Sequence, residues 1–402
     1  MLRSTARRLF LHQRTSTSRF SQPPGLFDIS PEALSSVQRW AELCPMTYEL
    51  AMWRGQRILL AEVDLAVSEQ SSVETEDVRT PSDSMIEIHL PFSSNENLRK
   101  RYSLFEENRP RFGLLLEDID ALASDVSYRH CRHRDQYILV TACLDRISGR
   151  WAHMSLQEDL LLRGQVTWVG NSSLEVTIKV FQGDKSGEAR LLFVARDPDT
   201  DLAKRVPRLM PITPEEKQAE RDGARANEKR QQLRLHALDK EPPNGEESAF
   251  IHQLHLRRGG TPVGETEVRS FELMHGQSRN IHGRAFGGTL MKHAYESAWT
   301  CAYMAMRKRP ECLAVDDVNF TAPVEIGDIV EYKARLAYAT PSSVHVLVDA
   351  EVVDAQKGTR TLTNRFLFSF NGDETLNIVP ETYSDAVHMI EARRRLQSHE
   401  SE

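Results

Sequence analysis

The stretch SRNIHGRAFGGTLMKHAYESAW, residues 278–299, sets an Asn, two His and a Gly pair directly before an apolar run of helical spacing. A helix that opens on Gly287 and Gly288 presents unbonded backbone N–H groups at the positive end of its dipole, with no side chain to keep an oxygen away. That arrangement holds an oxygen that acquires negative charge, with Gly288 the preferred donor and Gly287 beside it. A tight turn into a closely packed helix asks for the same two glycines. Asn280 cannot serve as a base, because an amide takes up no proton at neutral pH. It can orient a water or a carbonyl, or satisfy the backbone of its own turn. His275, His282 and His293 lack the close spacing of a metal site, and no metal is expected. Neither a G-x-S-x-G elbow nor a G-x-x-x-x-G-K-[ST] phosphate loop occurs.

The elements that must position these residues read as two copies of one pattern. FGLLLEDIDALAS at 112–124 corresponds to FGGTLMKHAYESA at 286–298. In the second, Leu290, Ala294, Ala298 and Ala302 make a stripe of helical spacing; in the first, Leu115 or Leu116, Ile119, Leu122 and Val126 do the same. Both helices are followed by runs of β-type alternation broken by a Ser pair, Ser172–Ser173 and Ser342–Ser343, as a hairpin connection would break them. Two long repeats, each one helix followed by antiparallel strands, predict an α+β chain with two domains of one fold. Between them, residues 213–248 are densely charged, open on Thr-Pro-Glu-Glu and end in Pro-Pro-Asn-Gly, which reads as a solvated helix and a turn.

The chain as a whole narrows the partners. A net charge of -7 over 402 residues excludes general nucleic-acid affinity, and no apolar run is long enough to span a membrane. The five Cys have no C-x-x-C spacing and are expected to be buried free thiols. Residues 1–22 hold Arg3, Arg7, Arg8, Arg14 and Arg19 among many Ser and Thr, with no acid before Asp28. This is the composition of a mitochondrial presequence that delivers a protein to the matrix, the alternative being a basic tail.

Residues 279–299, with RFGLLLEDIDALASDVSYRHC at 111–131, VTWVGNSSLEV at 166–176, FVARD at 193–197 and AVDDVNFTAPVEIGD at 314–328, resemble double-hotdog acyl-CoA thioesterases of the mitochondrial acyl-coenzyme A thioesterase 9 type. The resemblance spans roughly residues 85–385. It implies two tandem hotdog domains, each a long central helix wrapped by an antiparallel sheet, hydrolysing acyl-CoA thioesters with water and without a cofactor. The expected division is a presequence at 1–22, an N-terminal extension at 23–84, hotdog domains at 85–200 and 261–385, a charged linker at 201–260 and a C-terminal tail at 386–402. Asn280 falls where related thioesterases keep a catalytic Asn or Asp. The second helix lacks the accompanying acid: the count from Gly288 that reaches Tyr295 reaches Asp120 from Gly113.

Each half therefore keeps what the other has lost, and a single composite site is expected. Asn280 and the Gly288 N–H come from the second half and Asp120, as general base, from the first. The bland reading of Asp120 is a solvated carboxylate in the acidic run with Glu117 and Asp118. Gly287, Gly113 and His282 are candidate substrate contacts, His282 being equally readable as a loop histidine. Arg279, Arg284 and Arg307 are candidates for the CoA phosphates, although the run 307–309 also suits a helix C-terminus. A hotdog hydratase or dehydratase and a non-catalytic acyl-CoA-binding protein are the alternatives. Association of such double-hotdog chains into a homo-oligomer is a further implication of the resemblance.

Overall fold

A computed structural model of the chain describes residues 38–53, 64–67, 78–104, 107–132, 134–149, 151–235, 242–256, 259–280, 282–373 and 376–400. The presequence reading at 1–22 lies outside the described residues.

Alternating apolar residues build one sheet of eleven strands. In chain order its strands are β1 (Asp64–Val67), β2 (Ile86–Leu90), β3 (Ile138–Gly149), β4 (Leu160–Val169), β5 (Ser173–Gln182), β6 (Lys185–Arg196), β7 (Val268–Leu273), β8 (Cys312–Phe320), β9 (Ile329–Ala339), β10 (Ser343–Asp354) and β11 (Thr359–Asn371). The helices that matter for the site are α1 (Pro45–Trp53), α2 (Phe112–Cys131), α3 (Pro214–Leu235), α4 (Gly245–Leu256), α5 (Gly287–Met306) and α6 (Tyr383–Glu400). Across the sheet the order is β1-β2-β4-β5-β6-β3-β8-β11-β10-β9-β7, antiparallel throughout. The second half runs in the reverse order of the first, so the halves are related by an approximate twofold through the β3–β8 pairing, where Ala314 lies opposite Ser148 and Asn319 opposite Cys143. This is the tandem hotdog architecture expected from the sequence. The two Ser pairs stand at equivalent turns, closed by Gly170 N–H to Ser173 O and Thr340 N–H to Ser343 O, both 2.8 Å.

Side chains two apart on a strand share a face. Val176, Ile178 and Val180 on β5 and Phe366, Phe368 and Phe370 on β11 are accordingly all fully buried, and the sheet curls around the two long helices. Both predicted stripes face it: Leu290, Ala294, Ala298 and Ala302 on α5, and Leu115, Leu116, Ile119, Leu122 and Val126 on α2, are buried. Each large apolar side chain so enclosed contributes about 1.5–3 kcal/mol. None of the five Cys is in a disulfide, and all are buried.

Three segments differ from the sequence reading. The N-terminal extension is part of the first half: β1 pairs with β2, and Asp125 of α2 caps α1 by accepting from Met46 N and Thr47 N, each at 2.9 Å, and from the Thr47 hydroxyl at 2.8 Å. The linker helix α3 opens as expected, with the Thr213 hydroxyl accepting from Glu216 N at 3.1 Å and Glu216 accepting from Thr213 N at 3.0 Å. It is not solvated all round, because Gly223 lies so close to Trp168 that a Cβ there would stand 2.4 Å from the Trp168 Cβ. A further helix, α4, follows the turn. Residues 386–400, expected to be a tail, belong to α6, whose Ala386, Met389, Ile390 and Ala392 are buried. α3 covers the outside of β4 and α6 covers β9, so the structural repeat includes a covering helix after each wrapped unit.

The coverings are held by charge. Arg230 of α3 pairs with Asp145 and, at 3.2 Å, with the buried Glu175. On the other half Asp349 binds Arg335 at 3.0 Å and Arg365 at 2.7 Å, and Arg365 reaches Glu391 of α6 at 3.5 Å. Removing one member of a buried pair leaves its partner's charge uncompensated. Arg230→Ala is therefore expected to destabilise the fold by about 3 kcal/mol or more. Urea unfolding reads this directly, and a midpoint equal to the parent's would show that α3 is held by packing alone.

Candidate active site

The two central helices cross near their N-terminal thirds. A glycine on each makes that approach possible. A Cβ on Gly288 would stand 2.8 Å from the Glu117 Cα, and one on Gly113 would stand 3.0 Å from the Lys292 Cγ. Glu117 and Lys292 lie four residues past Gly113 and Gly288, respectively. These contacts are reciprocal when Gly113 is matched to Gly288, Glu117 to Lys292 and Asp120 to Tyr295, one residue away from the alignment of the two Phe-Gly starts read from the sequence.

Asp120 is fully buried, contrary to the solvated reading of its acidic run. Its neighbours in that run are buried too: Asp118 accepts from the Tyr102 hydroxyl at 2.5 Å, and Glu117 accepts from the Thr289 hydroxyl at 2.9 Å and from Lys292 Nζ at 2.8 Å. The solvated reading fails because α5, α1 and the sheet together cover this face of α2. Asp120 Oδ2 accepts from Gly288 N at 2.7 Å, and Oδ1 accepts from the Thr141 hydroxyl of β3 at 3.1 Å. Burial pushes the carboxyl up to about 7; the bonds from Gly288 and Thr141 oppose that shift, and the Glu117 charge adds to it. A carboxylate at the N-terminus of a long helix, with its proton equilibrium near neutrality, suits general-base work.

The preferred oxyanion donor needs correcting. Gly288 N–H is already engaged by Asp120, since a helix N-terminus attracts the nearest carboxylate. Gly287 is different. Its N–H, first in the helix, has no acceptor among the described residues, and a Cβ on it would stand 3.1 Å from Asp120 Oδ2. That leaves Gly287 N–H as the donor open to a carbonyl next to the carboxylate.

Asn280 makes no bond to Asp120. Its side-chain oxygen accepts from His282 N at 2.9 Å and Arg284 N at 3.1 Å, so the turn reading holds for the oxygen, and the amide N–H groups remain for a ligand. The loop closes through Asn280 N–H to Arg284 O at 2.6 Å and Gly283 N–H to Asn280 O at 3.0 Å, with Gly283 at φ +82°. His282 ties this loop to the first half through a 2.5 Å hydrogen bond with Tyr128, whose hydroxyl also accepts from Leu139 N at 3.1 Å. His293 faces the other way, 3.5 Å from Glu272. At this site Asp120 and His282 are engaged elsewhere, Asp120 with Gly288 and Thr141 and His282 with Tyr128, rather than paired with each other as a hydratase would use them.

The remaining candidates are dispersed. Gly113 lies at the equivalent crossing on the far side of the twofold, where Tyr295 stands in place of an acid. Tyr295 packs against Phe112 at 5.1 Å, Phe368 at 5.6 Å and Phe370 at 6.0 Å between ring centres, so aromatic rings fill the second possible site. Arg284 is paired with Glu325 at 3.2 Å. Arg279 is exposed beside the loop. Arg307 caps the opposite end of α5, roughly 30 Å from Gly287 at 1.5 Å per residue, and is not brought to this site.

Sequence reasoning missed Thr141, Thr289, Lys292 and Tyr128, which converge only through the wrap of the sheet and the crossing of the helices. It also missed Asn364, fully buried on β11 opposite Phe320, whose side-chain oxygen has no partner among the described residues. The Phe320 ring in turn stands 3.4 Å from where a Gly287 Cβ would be. Among the described residues no group of three or more His, Cys, Asp or Glu is arranged to hold a metal ion.

Residues 282–359 match the model of the Thioesterase superfamily. Over 345 residues the chain is 33% identical to the mitochondrial acyl-coenzyme A thioesterase 9 of Homo sapiens, covering 80% of this chain and 78% of that protein. The chain belongs to the acyl-CoA thioesterase family. It is also 31% identical to the chloroplastic acyl-coenzyme A thioesterase 2 of Humulus lupulus, over 94% of this chain and 95% of that one. The superfamily match lies wholly in the second half of this thioesterase, with Asp120 outside it.

Proposed function

We propose that this thioesterase hydrolyses acyl-CoA to the free carboxylic acid and CoA at one composite site per chain, in the mitochondrial matrix and without a cofactor. The observation that carries the reading is a fully buried carboxylate, Asp120, bonded to the N-terminus of the opposite central helix and poised near neutrality. Ionised Asp120 takes a proton from a water as that water adds to the thioester carbon. The oxygen of the tetrahedral intermediate is held by Gly287 N–H, with the Asn280 amide as a second donor. Collapse breaks the carbon–sulfur bond, and protonated Asp120 returns its proton to the departing thiolate, which leaves as the CoA thiol. The Gly288 N–H keeps the carboxylate facing the reacting carbon throughout. Acyl-CoA is the only partner this chemistry needs, and several chains associate into a homo-oligomer.

The experiment is a CoA-thiol release assay over acyl-CoA substrates from acetyl to long-chain, with Asn280→Ala beside the parent. A saturable parent activity that drops in the variant is expected, because the amide donors are removed while the loop's backbone bonds, Asn280 N–H to Arg284 O and Gly283 N–H to Asn280 O, are kept. Binding of acyl-CoA without release of thiol from any substrate would mean that the chain is a binding protein.

A further inference from the structure

α2 presents two acids, one turn apart, to the first turns of α5. Asp120 is met only by neutral donors, Gly288 N–H and the Thr141 hydroxyl. Glu117 is met by a cation, Lys292 Nζ at 2.8 Å, as well as by the Thr289 hydroxyl at 2.9 Å. Its side chain is 3% exposed and that of Lys292 19%, so the pair is largely shielded from solvent. The Glu117 charge, one helical turn away, raises the Asp120 carboxyl further, and a counter-charge on Glu117 relieves that effect.

We propose that Lys292 is a positioning residue of the hydrolytic site, which by neutralising Glu117 across the two central helices leaves Asp120 as the acid that exchanges the catalytic proton. The inference rests on the reading of Asp120 as the general base. Glu117 and Lys292 are equivalent positions of the two halves and meet at the twofold between them. In an assembly of two identical units a position on that axis meets its own copy, and like charges there would repel. Joining two diverged halves in one chain is what permits an ion pair of opposite sign at this place. The sign of the effect follows from Coulomb's law: an uncompensated Glu117 charge holds the proton on Asp120 more tightly, and loss of the Glu117 charge releases it.

The other groups around Asp120 do not substitute for Lys292. From β3 the facing group is Thr141; from β8 it is Phe320, which packs on Gly287; from α1 Met46 and Leu50 pack on Ala121 with Phe286. On α5 itself His293 lies 3.5 Å from Glu272 and is held below the usual imidazole value by burial and by Lys292, against the pull of Glu272, Glu296 and Glu117, and Glu296 is paired with Arg111 at 2.8 Å; on α2 Asp118 is bound to Tyr102 and Asp125 to α1.

The test is the pH dependence of kcat/KM for acyl-CoA hydrolysis. Lys292→Met is expected to move the midpoint of the acid limb upward by about one pH unit or more, and Glu117→Gln, which keeps an acceptor for Thr289, to move it downward. The double variant returns near the parent, and Lys292→Arg retains the parental midpoint. A purely structural role would lower kcat while leaving the midpoint in place, and that outcome overturns the proposal. If Lys292→Met does not fold, an unmoved midpoint in Glu117→Gln overturns it equally. Failure of the underlying reading is recognised separately, because Asp120→Asn would then keep its activity.

Discussion

Asp120→Asn is expected to lower acyl-CoA turnover by about 10²–10⁴-fold, the usual contribution of a positioned general base, and yet to give a protein more stable than the parent above neutral pH. The carboxamide is nearly the same shape. Its oxygen accepts from Gly288 N–H, and its NH₂ turns to the Thr141 hydroxyl, which then accepts. What is lost is the proton exchange. Because the carboxylate form acts as base, parental kcat/KM should rise with pH and level off above about 7, where burial has placed the carboxyl. Stability runs the other way. The folded-state value lies above the ordinary 3.8, so the folded chain holds a proton that the unfolded chain has released between those two values. The favourable contribution is fully present below pH 4, approximately, and is lost as pH rises through about 7. At about 1.4 kcal/mol per pH unit, the cost of the buried charge at pH 8 reaches on the order of 4 kcal/mol. Thermal melting of parent and variant at pH 3.5, pH 5 and pH 8 checks the sign: the variant's gain should be absent at the lowest pH, about 1.5 kcal/mol at pH 5 and largest at pH 8. A variant with parental turnover would remove Asp120 from the mechanism.

Gly288→Ala should damage stability and turnover together, and Gly113→Ala, its counterpart by symmetry, should cost much less. A methyl at Gly288 would stand 2.7 Å from the Phe286 ring, 2.8 Å from the Glu117 Cα and 3.2 Å from the Asp120 Cβ. The Glu117 contact is backbone, so the two central helices would have to separate. Overpacking of this kind costs about 1–3 kcal/mol, and moving a base by about 1 Å can lower a rate by about 10²-fold. At Gly113 the nearest atom is Lys292 Cγ at 3.0 Å, in a flexible side chain that can shift. Melting temperatures and thiol-release rates measured side by side distinguish the two. Equal losses would mean that both crossings matter alike, and the assignment of chemistry to the Gly288 side would fall.

Much of the fold was legible because it rests on local patterns. The strand alternation, the two helical stripes and the Ser-pair turns each lie within a few residues of themselves. α6 was not, because its apolar contacts Ala386, Met389 and Ile390 are sparse among Glu and Arg, and only the exposed outside of β9 gives them something to cover. At the site, the Gly pair and Asp120 could be named from sequence, but their relation could not. The Gly288 N–H that engages Asp120 lies 168 residues away along the chain, and Lys292 lies 175 residues from Glu117. Without those partners, Glu117, Asp118 and Asp120 look like an exposed acidic face. The Asn280 side chain illustrates the reverse: its turn-forming oxygen was foreseeable from its own neighbours, whereas the anchoring of that loop by Tyr128 was not.

The seam between β3 and β8 has a consequence for how the chain acquires its structure. It places the last strand edge of each half against the other half, and the crossing of α2 and α5 gives each helix part of its covering from its counterpart. Neither half alone would present a finished surface; each would expose a long unpaired edge and an apolar helix flank, the features that drive chains to aggregate. The duplication has therefore not produced two independent folding units. Native structure is completed only when the second repeat has been made and has returned to the first, a long-range closure of the kind that slows folding.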